Sequence, residues 1–425
     1  MHLRRVVLQD IKGFEKAELD LCPNGSTFPG WAVITGDNGS GKTALLRAMA
    51  LAIVGPDDGR QLVPDLRGWV AHGKDRGTVS VEIKPDHEVD RTEKGGYPVK
   101  GTFWSEVEVD ATTAVPAISS TDVFTNKKKG ATNGPWAIST AAWFAVAYGP
   151  FRRLYGTSPD AQRVMMIPGR IPRFGTLFRE DATLGEAEQW IQDLEYKKAV
   201  DKREAEGEAL ENLIALVRDD FLRHGVAVEK VNSDGVWLRD TADRLMSLVD
   251  MSEGYRSALA MLVDIYRHMV DVYGPDVVST GADGHCVVNK PGVVLIDEID
   301  THLHPDWQRD IGFWFKAHFP EVQFIVTSHS PLVCPAADGG RIYHLPQPGT
   351  GSAFRLQKDD YETVVSGKPD EILLTPAFGL EHTRSPRAVR GRERHALLVS
   401  KRLEADLTED EQQELEQLEL FAPRQ

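Results

Sequence analysis

The chain has 425 residues, 41% of them hydrophobic and 27% charged, a composition that fits a globular protein with one large or about two to three ordinary domains. Its formal net charge of −15 excludes a uniformly basic coat for nucleic acid or an anionic membrane, so any DNA or RNA contact has to be local. Cys22, Cys286 and Cys334 have no CxxC spacing, which argues against a disulfide framework and a cysteine-based zinc module; no run of about 18 apolar residues is present, and a cytoplasmic protein with no membrane partner is expected.

Val6–Leu8 and Ile11–Leu21 read as two short strands around Gly13. Trp31-Ala32-Val33-Ile34-Thr35 is an apolar strand-like run feeding Gly36-Asp37-Asn38-Gly39-Ser40-Gly41-Lys42-Thr43, and Ala44 to Leu51 then turns helical. Strand, glycine-rich turn and helix in this order are the context of a P-loop. Gly36, Asn38, Gly39, Ser40 and Gly41 let backbone amides turn inward around phosphates, and the helix N-terminus adds its positive dipole end. Lys42 reaches the β- and γ-phosphates and Thr43 gives a hydroxyl to magnesium, so ATP and Mg2+ are the expected cofactors.

Gly55-Pro56-Asp57-Asp58-Gly59 reads as a loop, and Thr78–Ile83 alternates as an exposed strand would. The stretch from Lys84 to Pro135 is polar, with a strand-like Trp104–Val109 and the charge run Lys127-Lys128-Lys129, and reads as an insertion with a mobile tip. Ala141–Tyr148 is apolar enough for a buried strand and ends in Gly149-Pro150, ahead of Arg152-Arg153. Thr183-Leu184-Gly185-Glu186 has the spacing of a capping box, after which Ala187, Trp190, Ile191 and Leu194 share a helical face. Leu210, Leu213, Ile214, Val217 and Phe221 do the same, giving a pair of helices of about 20 residues each, too short for a long coiled-coil arm.

Met251-Ser252-Glu253-Gly254-Tyr255-Arg256-Ser257 opens another helix. Val293-Val294-Leu295-Ile296-Asp297-Glu298 is a buried strand ending in two carboxylates, and Phe324-Ile325-Val326-Thr327 is a second one, followed by Ser328-His329-Ser330-Pro331. Strands alternating with helices give an α/β fold with a largely parallel or mixed sheet. The tail is basic from Arg384 to Arg402 and acidic from Glu404 to Glu419, with Thr408-Glu409-Asp410-Glu411 forming a further capping box; an interaction helix and a helix folded on its own domain are equally good readings. The divisions are 1–83 with the P-loop, 84–140 a polar β-rich insertion, 141–180, a helical hairpin at 181–225, 226–345, and a helical extension at 346–425.

Four elements now stand in an order that carries a mechanism. The P-loop cradles phosphates, Asp297 serves the magnesium, Glu298 polarises the attacking water, and His329 touches the γ-phosphate. The set GDNGSGKT, MSEGYRS, VVLIDEIDTHLHP and IVTSHSP resembles the ATP-binding-cassette ATPases of the SMC, RecF and OLD type, over most of residues 1–345. The resemblance implies that Ser252 and Gly254, at the signature position, act on the γ-phosphate held by another protomer, so that ATP joins a homodimer or a higher even oligomer. His304 stands where SMC proteins carry the D-loop aspartate, a form like that of OLD and RecF-like defence ATPases; His302 and His304 lack further ligands at zinc spacing. The Tyr148-Gly149-Pro150 turn occupies the place of the Q-loop.

OLD-type proteins add a Toprim nuclease needing an Asp-x-Asp, and none follows Ser330, so no intrinsic nuclease is expected. The chain is in this respect similar to the ATPases of Septu and retron anti-phage systems, which work with a separate effector, often an HNH nuclease. The first reading is therefore a defence ATPase that dimerises around ATP and regulates an effector. The second is a RecF-like DNA-repair ATPase, with Arg152, Arg153, Lys127 to Lys129 and the tail arginines contacting phosphates.

Overall fold

Two large sheets dominate the fold, beside a three-stranded and a two-stranded sheet among the described residues. A computed structural model describes residues 1–22, 30–63, 65–112, 116–120, 129–137, 142–222, 225–232, 234–281, 283–405 and 407–419. The strands in chain order are β1 (His2–Ile11), β2 (Phe14–Asp20), β3 (Trp31–Gly36), β4 (Arg76–Lys84), β5 (Phe103–Asp110), β6 (Ala117–Ser120) and β7 (Ala145–Tyr148). They continue as β8 (Ala227–Asn232), β9 (Gly235–Arg239), β10 (Leu245–Ser247), β11 (Val278–Thr280), β12 (Cys286–Val288), β13 (Gly292–Ile296), β14 (Val322–Thr327), β15 (Arg341–Leu345) and β16 (Phe354–Arg355).

One sheet is antiparallel, in the order β2-β1-β4-β5-β6. The other runs β16-β15-β3-β14-β13-β7, parallel except for β16 at its edge, which makes it a mixed α/β sheet as expected. Alternation along the parallel strands divides the interior. Trp31, Val33, Val294, Ile296, Phe324 and Val326 face one core with the helices Gly185–Val200, Glu204–Arg218, Glu253–Tyr273 and Pro305–His318. Ala32, Ile34, Val293, Leu295 and Ile325 face a second core, shared with the P-loop helix and the antiparallel sheet.

A buried amide links the two large sheets, beside the Tyr343 hydroxyl that donates to the Asp20 carbonyl. Gln323 on β14 accepts from the Leu3 N–H through Oε1 at 2.7 Å and donates to the Leu3 carbonyl through Nε2 at 2.9 Å.

Several local expectations change. Gly55–Gly59 is not a loop: the helix Lys42–Leu62 continues through it, kinked at Gly55 with φ 83°, where a side chain would meet the Trp136 ring at 2.6 Å. Pro56 is tolerated because it opens the segment beyond the kink, where a proline removes no needed donor. β4 is buried on both faces, not exposed on one, because the P-loop helix covers it. β7 is only four residues long, Ala142 and Trp143 having positive φ ahead of it. The Thr183 capping box does not form: Leu184 takes the cap position with no side-chain bond, and Glu186 pairs with Arg267 at 2.8 Å. The hairpin helices are 16 and 15 residues, with Phe221 beyond the second.

In the tail, Pro386–Glu404 and Glu409–Leu418 pack on each other through Arg394–Glu414 at 2.7 Å and Lys401–Glu411 at 2.6 Å, and the Thr408 capping box is formed. Lys127 and Lys128 lie outside the described residues.

Gln323→Leu keeps the bulk but strips two backbone groups of their partner, so it is expected to lower stability by about 2–4 kcal/mol in urea unfolding. An unchanged midpoint would show that the sheets are held without this amide.

Candidate nucleotide site

The P-loop, the Asp297-Glu298 pair and the segment before His329 leave the parallel sheet at its C-terminal edge, where open α/β sheets place their ligands. The P-loop follows β3, Asp297 and Glu298 follow β13, Thr327 ends β14 and Gly149 follows β7. In the loop, Gly39 and Gly41 have φ of 82° and 96°, and a side chain on Gly36 would come within 2.4 Å of the Leu345 carbonyl. Only glycine fits that cradle.

Lys42 opens the helix and folds back over the loop, donating to the carbonyls of Gly36 at 2.8 Å and Asp37 at 2.9 Å. Burial lowers its ammonium pKa, and the carboxylates of Asp297, Glu298 and Asp37 oppose that shift. The Thr43 hydroxyl donates to Asp297 Oδ2 at 2.6 Å, which brings the two expected magnesium residues into contact. The buried Ser40 hydroxyl has no hydrogen-bond partner inside the loop. An inward-turned glycine loop with an unused buried hydroxyl and a Thr-carboxylate pair is the donor set that triphosphate and a hard divalent cation require.

Asp297 is fully buried, and its other oxygen, Oδ1, accepts from the Thr327 hydroxyl at 2.6 Å. That same Thr327 oxygen accepts the Glu298 N–H at 2.7 Å. Glu298 itself has φ 46°, an uncommon conformation for a residue with a side chain. The surroundings impose it. Arg152, 3% exposed, donates to the carbonyls of Gly149 at 3.0 Å, Asp297 at 2.8 Å, Glu298 at 3.1 Å and Ile299 at 3.4 Å. Burial pulls its pKa down to about 10, against the pull of the Asp297, Asp300 and Glu298 carboxylates. A guanidinium spread over the carbonyls of the turn and a hydroxyl under its amide fix the direction of the Glu298 side chain, whose Oε2 accepts from Thr301 at 3.1 Å.

Arg152 therefore is not a phosphate contact for DNA: its donors are consumed inside the protein. Arg153 is exposed, over the Phe151 ring.

His329 is exposed just beyond β14. Its loop is tied to the segment after Glu298: Ser330 Oγ donates to Gln308 Oε1 at 2.7 Å, and the Gln308 amide donates to the carbonyls of Asp300 at 3.2 Å and Leu303 at 2.9 Å. Ser252 and Gly254 sit at the start of Glu253–Tyr273, against this same segment. A Cβ on Gly254 would stand 2.4 Å from the His302 carbonyl, so glycine is required for the contact. Ser252 is exposed, and its hydroxyl makes no cap bond to its own helix.

Sequence reasoning missed four neighbours of the site. Arg152 and Thr327 hold the Asp297-Glu298 turn, while Phe14 and Gln347 flank the P-loop. The Phe14 ring occupies the space a Gly41 side chain would need, and Gln347 Nε2 donates to the Asn38 carbonyl at 3.1 Å. Phe14 and Gln347 also line a cavity of about 530 Å³ between the β1–β2 turn and residues 346–353.

Comparison with known proteins agrees with this fold. Residues 175–334 match the family model described as "AAA domain, putative AbiEii toxin, Type IV TA system", and residues 5–135 match one described as "AAA domain". An SMC head bound to the C-winged helix domain of ScpA superposes with a TM-score of 0.50 over 84% of this chain and 99% of that one, at 14% identity. Fold, P-loop and these matches define the class: an ABC/AAA-type P-loop ATPase domain with an SMC-head-like fold. Within that class the chain is similar to the Septu protein PtuA of Bacillus mycoides (strain KBAB4), 23% identical over 90% of this chain and 45% of the relative. It is also similar to the Retron Ec83 probable ATPase of Escherichia coli, 39% identical over 27% of this chain and 19% of that protein. The chain thus spans less than half the length of these curated relatives.

Thr327→Val deletes one hydroxyl at nearly constant shape. Losing a hydrogen bond to a carboxylate is worth about 1.5–3 kcal/mol, so ATP turnover is expected to fall by about ten- to a hundredfold with ATP affinity little changed. Steady-state ATPase rates beside nucleotide titration check this.

Proposed function

We propose that this protein binds and hydrolyses ATP, associates through ATP into a homodimer or higher even oligomer, and controls a separate effector, a nuclease, in bacterial anti-phage defence. The observation that carries the reading is the hydrogen-bonded chain from Thr43 through Asp297 and Thr327 to the Glu298 amide. It joins the phosphate loop to the carboxylate that would polarise water.

In this reading the P-loop amides and Lys42 hold the β- and γ-phosphates, Lys42 exchanging its bonds to Gly36 and Asp37 for phosphate oxygens. Thr43 and Asp297 hold Mg2+, which supplies charge neutralisation on the phosphates. Glu298 orients and deprotonates the attacking water, its backbone fixed by Arg152 and Thr327; His329 contacts the γ-phosphate. The cavity at Phe14 and Gln347 takes the base and ribose, its lining offering the Phe14 ring beside the polar side chains of Gln9, Lys16, Gln347 and Ser352.

Ser252 and Gly254 act across the protomer boundary. The free hydroxyl of Ser252 and the N-terminus of its helix suit a γ-phosphate held by the other protomer. Because Gly254 abuts His302, and Gln308 links this segment to Ser330, loss of the γ-phosphate would be felt at the subunit contact. The similarity to PtuA and the retron ATPase supports a defence role.

Lys42→Ala is expected to lose nucleotide binding, whereas Glu298→Gln is expected to bind ATP, hydrolyse it slowly and accumulate the closed assembly. Native mass spectrometry of Glu298→Gln, purified with its neighbouring gene products, should show an even-numbered assembly with a second polypeptide only with Mg-ATP. A monomer under both conditions, or wild-type turnover by Glu298→Gln, contradicts the reading.

A further inference from the structure

We propose that Asp219, His285 and His318 form a metal site of the zinc class, which clasps the helical hairpin to the helix that follows the Asp297-Glu298 turn. The three residues come from separate parts of the chain. Asp219 caps the end of Glu204–Arg218, His285 immediately precedes β12, and His318 closes Pro305–His318. Their ligand atoms lie within 4.8 Å of one another. Asp219 Oδ1 is 2.8 Å from His285 Nδ1, and Asp219 Oδ2 is 3.3 Å from His318 Nε2.

His318, 4% exposed, is the innermost of the three. Its Nδ1 lies 2.9 Å from the Trp314 carbonyl, and a carbonyl only accepts, so Nδ1 carries the hydrogen. A ring that carries this one hydrogen has a lone pair on Nε2. That buried nitrogen has no hydrogen-bond partner and faces a carboxylate oxygen. Two lone pairs at that separation repel unless a cation lies between them. A metal there meets three donors at once, since His285 converges on the same carboxylate.

The spacing and the donor set select the ion. Ligands about 2.0–2.2 Å from a tetrahedral zinc stand about 3.3–3.5 Å apart. The Asp219–His318 pair stands at 3.3 Å, whereas the Asp219–His285 pair, at the hydrogen-bonded distance of 2.8 Å, has to give up its proton and open by about 0.5 Å on metal binding. Two imidazole nitrogens and one carboxylate oxygen suit zinc or its transition-metal neighbours, and are too few and too soft for calcium or magnesium. The surroundings orient each ligand as metal ligands usually are. Trp314 stacks on the His318 ring at 4.0 Å and donates from its indole to the Asp219 carbonyl at 2.7 Å, while the Cys286 N–H donates to Asp219 Oδ2 at 2.7 Å. His285 is exposed, so water would complete the coordination.

The site is separate from the nucleotide residues, but Pro305–His318 begins directly after His304. A metal would therefore hold the hairpin to an element that starts at the subunit-facing segment.

The test uses the full chain without a polyhistidine tag, stripped with chelator and titrated with Zn2+ against a chromophoric chelator, with excess Mg2+ present to occupy the Asp297 site. One tight zinc per chain is expected, and His285→Ala and Asp219→Asn should each weaken it at least about tenfold. Zinc should raise the melting temperature of the wild type and not that of His285→Ala, whose exposed side chain makes a fold defect easy to exclude by circular dichroism. Failure of the wild type to bind zinc more tightly than His285→Ala would overturn the proposal and leave a proton between His318 and Asp219.

Discussion

The rest of the site depends on one buried carboxylate with two hydroxyl donors. Burying Asp297 is costly unless its oxygens are hydrogen-bonded, and Thr43 reaches them from the start of the P-loop helix and Thr327 from the end of β14. This is attainable only if β3, β14 and β13 are parallel neighbours in that order and in register, with Thr327 beside Ile34 and Ile296 beside Val326. The sheet order is therefore read directly in the chemistry of its edge. A slip of one residue would turn Thr327 to the other face and break both bonds at once.

Around that hub the fold supports a strained backbone at Glu298. Its positive φ is held from below by Thr327 and from above by Arg152, which reaches over from the segment after β7. The turn is thus determined by three strands, not by its own sequence. From it the D-loop runs to His302, whose carbonyl leaves room only for a glycine at position 254. The segment after Glu298 touches the start of the Ser252 helix, and through that contact the proposed association would be coupled to ATP.

What was legible in the sequence was local. Gly36 to Thr43, Asp297-Glu298, Ser252-Glu253-Gly254 and Thr408 to Glu411 announce themselves because each motif is a few consecutive residues whose geometry is set by neighbouring backbone. Apolar runs likewise gave β3, β13 and β14 nearly to the residue. Arg152 was misread because an arginine after a Gly-Pro turn looks exposed until β7 is placed beside β13, which points it at the carbonyls of the Asp297 turn. Thr183 had the spacing of a cap, but its hydroxyl pairs with Thr157 and the helix starts later. Gly55-Pro56 looked like a terminator and proved a kink, since Trp136 packs on it from far along the chain. Asp219, His285 and His318 carry no spacing signal at all; only the tertiary fold assembles them.

The central claim is that each ATP is shared between the P-loop of one protomer and the Ser252 helix of another. Mixing two variants, Lys42→Ala and Ser252→Arg, tests it most directly. Each alone should be inactive. In a two-fold symmetric dimer a mixed pair retains one intact composite site, so random mixing should restore about a quarter of wild-type ATPase activity. A mixture as inactive as its components, with both variants folded and exchanging subunits, would contradict the account.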